Sequence, residues 1–357
     1  MAEGLTERIE VSRVRKHIIL AIFLSLVLIP YIVFARVSGV CSNCHTMHFT
    51  QDGVSEEPSQ SLLVDSCVGC HSATDGTTWK DPITGAPIVY NAEEPSYNTQ
   101  KGLAGGNFYW VAQEGDNDNK GHNVYGISGQ DPNLSYAPGD QFEGGVANCN
   151  CHISLATDPS TTEYPSGCEG CHEPSHHDDN GWYRFLGHPK EVMGDDTEKY
   201  VEGIEDENWE FSPTSSHNVY KGHDEISSPT SWGNRLGVTH TISAFCCGCH
   251  NKFHDMDSGS GWERHPSDAI IPDSGEYAAY TSYNPLAPVA KLNPTESDKT
   301  NYTVEPGSDF VMCLSCHRPH GSPYPDMLRW DYLNGCQAGT SDPDCGCFVC
   351  HTEKGGS

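Results

Sequence analysis

The string Cys41-Ser-Asn-Cys44-His45 is the first of a series, because its spacing of two cysteines and a histidine recurs along the sequence. Five further copies with the full spacing follow, at Cys67–His71, Cys168–His172, Cys246–His250, Cys313–His317 and Cys347–His351. A shortened relative, Cys149-Asn-Cys151-His152, lies between the second and third full copies. Cys-x-x-Cys-His is the attachment signature of c-type haem, in which the thiols bond to the porphyrin edge and the histidine is an axial ligand of the iron.

The repetition separates this interpretation from the other uses of paired cysteines. A single Cys-x-x-Cys also occurs in zinc sites and in thiol redox sites. Zinc ribbons do not require a histidine after each pair, and a thioredoxin-like motif occurs once, near a βαβ pattern. Six full strings that all end in histidine therefore predict a chain that holds several c-type haems.

The strings also identify the residues expected to hold each haem. The thioether candidates are Cys41, Cys44, Cys67, Cys70, Cys149, Cys151, Cys168, Cys171, Cys246, Cys249, Cys313, Cys316, Cys347 and Cys350. The proximal iron ligands are His45, His71, His152, His172, His250, His317 and His351. Seven haems are expected, or six if the shortened string is empty, because one intervening residue is too few for the usual span of two thioethers.

The composition predicts a core made of cofactor instead of protein. The 357 residues include 36 Gly and 23 Pro, and 49 acidic against 20 basic residues give a net charge of −29. With little amphipathic periodicity, the protein alone would bury too little apolar surface to offset chain entropy. We expect an irregular, loop-rich multihaem fold, with short helices only beside the strings. Nucleic acid is not an expected partner, because phosphate binding needs clustered Lys and Arg.

The N-terminal segment predicts export of the rest of the chain. Residues 1–17 form a basic polar flank, residues 18–35 form an apolar run, and residues 36–357 contain all the strings. The run is long enough for one membrane-spanning helix, which would anchor the protein facing the periplasm with its N-terminus in the cytoplasm. Cleavage after Ala35 would instead make the segment a signal peptide and send the protein to the cell surface or beyond.

The second axial ligand of each iron must come from elsewhere in the chain. Eleven histidines remain outside the strings and the tail, which is enough to give every haem two imidazoles, a ligation that closes the iron to substrates and lowers its potential relative to Met/His ligation. The preferred candidates are His48, His122, His217, His254 and His320. The others are His176, His177, His188, His223, His240 and His265.

Two patterns support some of these candidates. His122 and His217 each begin a His-Asn-Val-Tyr sequence ahead of a string, which is what a duplicated ligand element would look like, although a shared turn preference would give the same pattern. Four candidates follow a string histidine by three or four residues: His48, His176, His254 and His320. On a helical turn, a residue so placed points toward a neighbouring haem.

Three cysteines are not among the thioether candidates. Cys336 and Cys345 bracket a short loop, and in an oxidising compartment a disulfide between them is predicted. Cys247 has no predicted role.

Both ends of the haem region resemble a known class of proteins. Cys41-Ser-Asn-Cys44-His45-Thr-Met-His48 and Cys313-Leu-Ser-Cys316-His317-Arg-Pro-His320 are similar to the doubled strings of secreted multihaem cytochromes of metal-reducing bacteria. The resemblance implies haems with two histidine ligands, stacked in a continuous chain that carries electrons outward. Some members form extracellular filaments, in which a histidine of one subunit ligates a haem of the next.

A second resemblance covers only residues 15–50. Cys-x-x-Cys-His-x-Met after an apolar helix is similar to the first haem site of the NapC/NirT/NrfH family of quinol-oxidising cytochromes, where the methionine corresponding to Met47 can be a ligand. We therefore expect electron transfer without an enzymatic reaction, with other cytochromes, a quinone-linked donor or further copies of the chain as partners. The alternatives are a quinol-oxidising membrane cytochrome and a multihaem reductase.

Overall fold

A computed structural model describes most of the haem region. The described residues are 40–45, 66–96, 102–134, 137–139, 154–162, 165–177, 181–188, 198–207, 210, 216–231, 235–253 and 265–355. The apolar run 18–35, the shortened string with Cys149, Cys151 and His152, and the candidate ligands His48 and His254 lie outside these residues. Within the described ranges, no helix has the length and apolar character needed to cross a membrane.

The described helices are all short. The α-helices are α1 (Val68–His71), α2 (Arg235–Thr239), α3 (Ile242–Cys246), α4 (Tyr332–Gly335) and α5 (Cys347–Cys350). The 3-10 turns are Cys41–Asn43, Asp118–Lys120, Pro159–Thr161, Gly167–Gly170, Tyr183–Phe185, Asn251–Phe253, Gly275–Ala279, Glu296–Thr300, Cys313–Ser315 and Pro325–Met327. This confirms the loop-rich, short-helix fold expected from the sequence.

The expectation that helices occur only beside the strings was wrong. The turn Glu296–Thr300 lies away from every string and begins with a capping box, in which Thr295 and Asp298 satisfy each other's backbone N–H groups. Helix α4 similarly begins at Asp331, whose carboxylate accepts a hydrogen bond from the Asn334 N–H. Local capping by Thr and Asp side chains is therefore sufficient to form single helical turns in this chain.

The strands are two or three residues long and form three small sheets. They are β1 (Ser72–Ala73), β2 (Tyr90–Asn91), β3 (Gly187–His188), β4 (Lys199–Tyr200), β5 (Gly203–Ile204), β6 (Val219–Lys221), β7 (Ala269–Ile270), β8 (Ala290–Lys291) and β9 (Phe310–Val311). Strands β1 and β2 pair in parallel, and β3 and β4 pair antiparallel. The third sheet has the order β5-β6-β8-β9-β7, with only β6 and β8 parallel. It connects the middle of the chain to the C-terminal strings.

The buried apolar residues form four separate clusters instead of one large core. The largest surrounds the five-stranded sheet and contains Tyr220, Ala290 and Phe310. Smaller clusters form around Phe108 and around Trp330, and each is flanked by a cysteine of a string. The clusters are small for a chain of this length, as expected if porphyrins supply part of the apolar interior.

A buried ion pair joins the sheet to the C-terminal loops. The side chains of Arg329 and Glu210 are both 0% exposed, and Arg329 Nη2 lies 2.6 Å from Glu210 Oε2. The hydroxyl of Tyr220 also donates to Glu210. Arg329 donates through Nε to the Leu314 carbonyl, and through Nη1 to the Pro285 carbonyl. The guanidinium therefore holds together segments that belong to different parts of the sequence.

We expect Arg329→Met to lower the free energy of unfolding by about 3–5 kcal/mol, because the Glu210 carboxylate would be left buried without its countercharge. Chemical denaturation of the haem-loaded protein measures this change. Lys221→Met is the matched control, since Lys221 pairs with Glu202 where both side chains are partly exposed, and should cost about 0–1 kcal/mol. Equal, small losses in both variants would contradict the structural role given to Arg329.

Candidate haem sites

Each described string folds into a single helical turn. The histidine N–H donates to the carbonyl of the first cysteine in all six, for example from His45 to Cys41 at 2.8 Å and from His317 to Cys313 at 3.0 Å. This hydrogen bond spans four residues, so the two cysteines, three residues apart, lie on one side of the turn. The histidine follows directly beside them. The turn thus presents two thiols and one imidazole together, as attachment of a c-type haem requires.

The strings lie next to one another in the order of the sequence. The thiols of Cys67 and Cys168 share a hydrogen bond, as do those of Cys246 and Cys313. Cys171 is close enough to influence Cys246 electrostatically, and Cys350 acts in the same way on Cys316. The second to sixth full strings therefore form one continuous row.

Five string histidines face a second imidazole at nearly the same distance. The ring centroids are separated by 6.1 Å in the pair His45–His177, 6.2 Å in His71–His176, 6.0 Å in His172–His320, 6.1 Å in His250–His122 and 6.3 Å in His351–His265. In each pair one histidine belongs to a string and the other is one of the eleven spare histidines. Such regular spacing is not expected from stacking of imidazoles, whose contact distance would be shorter.

The spacing is that of two ligands on opposite sides of one metal. A metal–imidazole bond is about 2 Å long and the ligating nitrogen lies about 1 Å from the ring centre, so two such ligands place their centroids about 6 Å apart. The rings are therefore far enough apart for an iron atom, and for the porphyrin plane that surrounds it, to lie between them. The residues present fit a c-type haem at these five sites.

At several string histidines, hydrogen bonds hold Nδ1, the ring nitrogen that is not expected to bind a metal. Nδ1 of His71 lies 2.8 Å from the Pro87 carbonyl, and Nδ1 of His250 lies 2.8 Å from the Pro138 carbonyl. A carbonyl oxygen only accepts, so Nδ1 carries the proton and Nε2 keeps its lone pair for a metal. These contacts orient the ring as well as selecting the tautomer.

Two strings share an unusual loop that provides this acceptor. Arg184 and Phe185 are consecutive left-handed residues (φ 50° and 57°), and so are Asp326 and Met327 (both φ 58°). The first residue of each pair accepts from a string histidine: the Arg184 carbonyl lies 2.9 Å from His172 Nδ1, and the Asp326 carbonyl lies 2.8 Å from Nδ1 of the fifth string's histidine.

The rest of the loop is also repeated. The N–H of the residue after each histidine donates to the carbonyl of the second left-handed residue, Glu173 to Phe185 at 2.7 Å and Arg318 to Met327 at 2.8 Å. Left-handed backbone costs roughly 1–2 kcal/mol per residue in non-glycine residues. Its occurrence twice at the same point beside a ligand indicates that the loop serves to hold the imidazole.

Burial favours the neutral form of three of the spare histidines in the pairs. Burial lowers the pKa of His122 to about 4, helped by the nearby His250, and lowers the pKa of His320 to about 3, helped by His172. Burial also lowers the pKa of His176. A neutral imidazole is the form that binds a metal, so these residues need not lose a proton to serve as ligands at neutral pH.

The other spare histidines among the described residues are placed differently. His217, one of the preferred candidates, is buried and stacks on Tyr283 with a centroid distance of 3.8 Å, and its Nδ1 lies 2.7 Å from the Asn218 carbonyl. Its environment is that of a core residue, because Nε2, the nitrogen that would bind a haem iron, lies 3.4 Å from the Asn301 carbonyl. The shared His-Asn-Val-Tyr sequence therefore has different surroundings at His122 and His217.

Three of the lower-ranked candidates also contact other groups. His188 stacks on Phe245 and His240 on Tyr200, with centroids 5.7 Å and 4.3 Å apart, while His223 Nε2 lies 3.1 Å from a backbone carbonyl. Within the described ranges, the structure does not pair His317 with a second imidazole at the 6 Å spacing.

The three cysteines that are not thioether candidates have defined partners. Cys336 and Cys345 form the predicted disulfide, with an S–S distance of 2.00 Å. Cys247, for which no role was predicted, is buried and accepts a hydrogen bond from Arg235 Nη1 at 3.3 Å. Arg235 in turn donates to the buried Glu225, so Cys247 belongs to a buried polar network behind the fourth string.

The sequence analysis ranked some paired histidines too low. His176 and His177 are adjacent and face the different string histidines His71 and His45. Neighbouring side chains in a non-helical segment point in opposite directions, so the doublet itself was the signal of a residue pair that serves two sites. His265 has no comparable signal, because it adjoins no string and lies far before its partner His351 in the sequence.

Known proteins resemble this chain in sequence. Residues 306–356, which contain the last two strings, match the family model described as the doubled CXXCH motif. C-type cytochrome OmcS of Geobacter sulfurreducens is 22% identical over 365 aligned residues, covering 82% of this chain and 78% of that protein.

Two solved structures from the same organism are also similar. The outer membrane cytochrome S filament is 18% identical with a TM-score of 0.49, covering 90% of this chain and 93% of that chain. The OmcS nanowires are 19% identical with a TM-score of 0.47, covering 90% and 92%. The six full strings and the doubled CXXCH segment together support a multihaem c-type cytochrome, and the chain is similar to those of Geobacter.

Proposed function

We propose that this protein transfers electrons along a row of c-type haems with two histidine ligands each, and that it has no bond-making reaction of its own. The observation that supports this most directly is the set of five imidazole pairs with centroids 6.0–6.3 Å apart. When bound, the haem iron supplies reversible one-electron exchange. The protein contributes attachment, orientation and exclusion of water.

The proposed ligand pairs close both faces of each site. A site with imidazoles on both sides has no position for a substrate, so it favours electron transfer over catalysis. The pairs proposed are His45 with His177, His71 with His176, His172 with His320, His250 with His122, and His351 with His265. The remaining sites are those of His317 and of the shortened string, for a total of seven haems.

Several ligands would tie neighbouring haems together. His176 and His177 are adjacent, so the first two sites are joined by a single peptide bond. His320 lies three residues after His317 but faces His172, so the fifth string contributes a ligand to the third site. Such links keep the haems that they join at short edge-to-edge distances, which fast electron hopping needs.

The second ligand of the haem on His317 comes from outside the described residues in this proposal. His48 and His254 are two sources within the chain, and a histidine of a second copy is another. The last source is the one implied by the resemblance to filament-forming cytochromes, and the related Geobacter protein is itself described as a filament. We propose that the chain assembles as a homopolymer at the cell surface or beyond. A membrane-anchored relay fed by a quinone-linked donor or another cytochrome is the alternative.

The proposal is tested by intact mass and by spectroscopy on the protein from its native host. We expect seven covalent haems, all low-spin in the oxidised protein. Six haems would mean that the string with Cys149 and Cys151 is empty. A high-spin signal in the resting protein would indicate an open iron, and would favour a multihaem reductase over an electron carrier. The same mass shows whether residues 1–35 are retained.

We expect His320→Ala to convert one haem equivalent to the high-spin form, because His172 would lose the imidazole across from it. Electron paramagnetic resonance of the oxidised protein measures this conversion. His217→Ala is the matched control: it also removes a buried imidazole, but one that stacks on tyrosine, so all haems should stay low-spin. A high-spin haem in His217→Ala, with none in His320→Ala, would contradict the ligand assignment.

Gly105 provides a second test of the same site. A Cβ at this position would lie 2.8 Å from His320 Nδ1, so Gly105→Ala should push the imidazole and destabilise the protein by about 1–3 kcal/mol. The expected spectroscopic effect is a perturbed low-spin signal of one haem. Gly129→Ala is the control, because a Cβ there meets nothing within 4 Å. Identical spectra for both variants would show that His320 is not a ligand held by this contact.

A further inference from the structure

Among the five string histidines whose Nδ1 acceptor the structure describes, one has a different kind of hydrogen-bond partner from the other four. The Nδ1 acceptor is a backbone carbonyl at His71, His172, His250 and His317, but at His351 it is the carboxylate of Glu276. The distance from His351 Nδ1 to Glu276 Oε1 is 3.2 Å. The last string is thus distinguished from the others by a charged group behind its ligand.

The carboxylate is fixed in place by its surroundings. Glu276 lies on the turn Gly275–Ala279, which packs against helix α5 of the last string. The hydroxyl of Thr352 donates to the Glu276 carbonyl at 2.5 Å, and this ties the turn to the residue that follows His351. The ring of Tyr277 packs edge-on against the His351 ring, with centroids 5.1 Å apart.

The carboxylate is also poorly solvated. The Glu276 side chain is 12% exposed, and within the described residues its Oε2 is buried without a hydrogen-bond partner. Lys354 Nζ lies 3.9 Å from Oε1, but that side chain is 60% exposed, so its attraction is screened by water. The strongest contact open to the carboxylate is therefore the Nδ1–H of His351.

A carboxylate is a stronger acceptor than a backbone carbonyl. Hydrogen bonds to a charged partner are roughly twice as strong as neutral ones, so the Nδ1 proton is drawn further from the ring. The imidazole then becomes a more basic ligand at Nε2. A more electron-donating axial ligand stabilises the oxidised iron more than the reduced iron, which lowers the reduction potential.

We propose that Glu276 is a positioning residue that gives the haem on His351 the lowest reduction potential among the five sites whose Nδ1 acceptor the structure describes. This inference rests on the proposed function, since it requires a haem with His351 and His265 as its axial ligands. The distal ring does not compensate, because His265 Nδ1 lies 3.1 Å from a neutral acceptor, the Pro266 carbonyl. The row of haems is therefore uneven, with its C-terminal end the hardest to reduce.

The test is a spectroelectrochemical titration of the haem-loaded Glu276→Gln protein. Gln keeps a neutral oxygen acceptor like the carbonyls at the other strings, so the lowest midpoint potential should shift upward toward the rest, while the other midpoints stay in place. One low-spin haem should also change its g-values in electron paramagnetic resonance, because these report the ligand field of the imidazole.

Two further variants separate the hydrogen bond from the charge. Glu276→Asp keeps the charge but shortens the side chain by one methylene, so it should shift the same midpoint and the same g-values. Glu296→Gln removes one charge from another 3-10 turn, at a side chain that is 78% exposed and 3.3 Å from Lys299, and should leave every midpoint unchanged.

An unchanged lowest midpoint in Glu276→Gln would overturn the inference. So would a wild-type titration and spectrum in Glu276→Asp, since the effect in Glu276→Gln would then come from charge alone. If the wild-type protein contained high-spin haem at rest, the proposed function itself would fail. Low-spin haems with unchanged midpoints would reject the role of Glu276 and leave the electron-transfer proposal intact.

Discussion

The structure depends on one backbone hydrogen bond, from the histidine N–H of each string to the carbonyl of its first cysteine. This bond closes a single turn and brings two thiols and an imidazole to the same place. It requires only five residues, so it forms without a long helix and without a preformed apolar core. A chain with little amphipathic periodicity can therefore build six similar sites, and the loops between them are free to vary in length.

The loops then complete what the turns begin. Backbone carbonyls from loops accept hydrogen bonds from Nδ1 of string histidines. Histidines from other loops lie across from the same string histidines, about one metal-ligand pair's distance away. The apolar clusters around Phe108 and Trp330 stay small because each borders a string. The buried Arg329–Glu210 pair supplies a polar link beside the largest apolar cluster, to which Tyr220 belongs.

The sequence predicted the local sites well and their connections poorly. The turn at each string follows from five consecutive residues, and the disulfide between Cys336 and Cys345 follows from two nearby cysteines in an oxidising compartment. By contrast, the pairing of His122 with His250 depends on how distant loops meet, which no local pattern reports. The repeated sequence around His217 was misleading for the same reason, since tertiary contacts with Tyr283 decide its environment. The left-handed pairs beside His172 and His317 share no sequence motif that would reveal them.

The long separation in sequence between paired histidines has a consequence for biogenesis. Covalent attachment at a string needs only that string, but in the proposed ligand scheme its second imidazole can come from much later in the chain, as His320 would for His172. Under that proposal, early sites would wait, half-ligated, until the C-terminal segment reaches them, and closing such large loops is slow. A chain truncated before residue 320 would keep the haem of its third full string covalently bound and yet lack the partner imidazole. Completion of the whole polypeptide would in this sense be the last step of assembly for sites near its beginning.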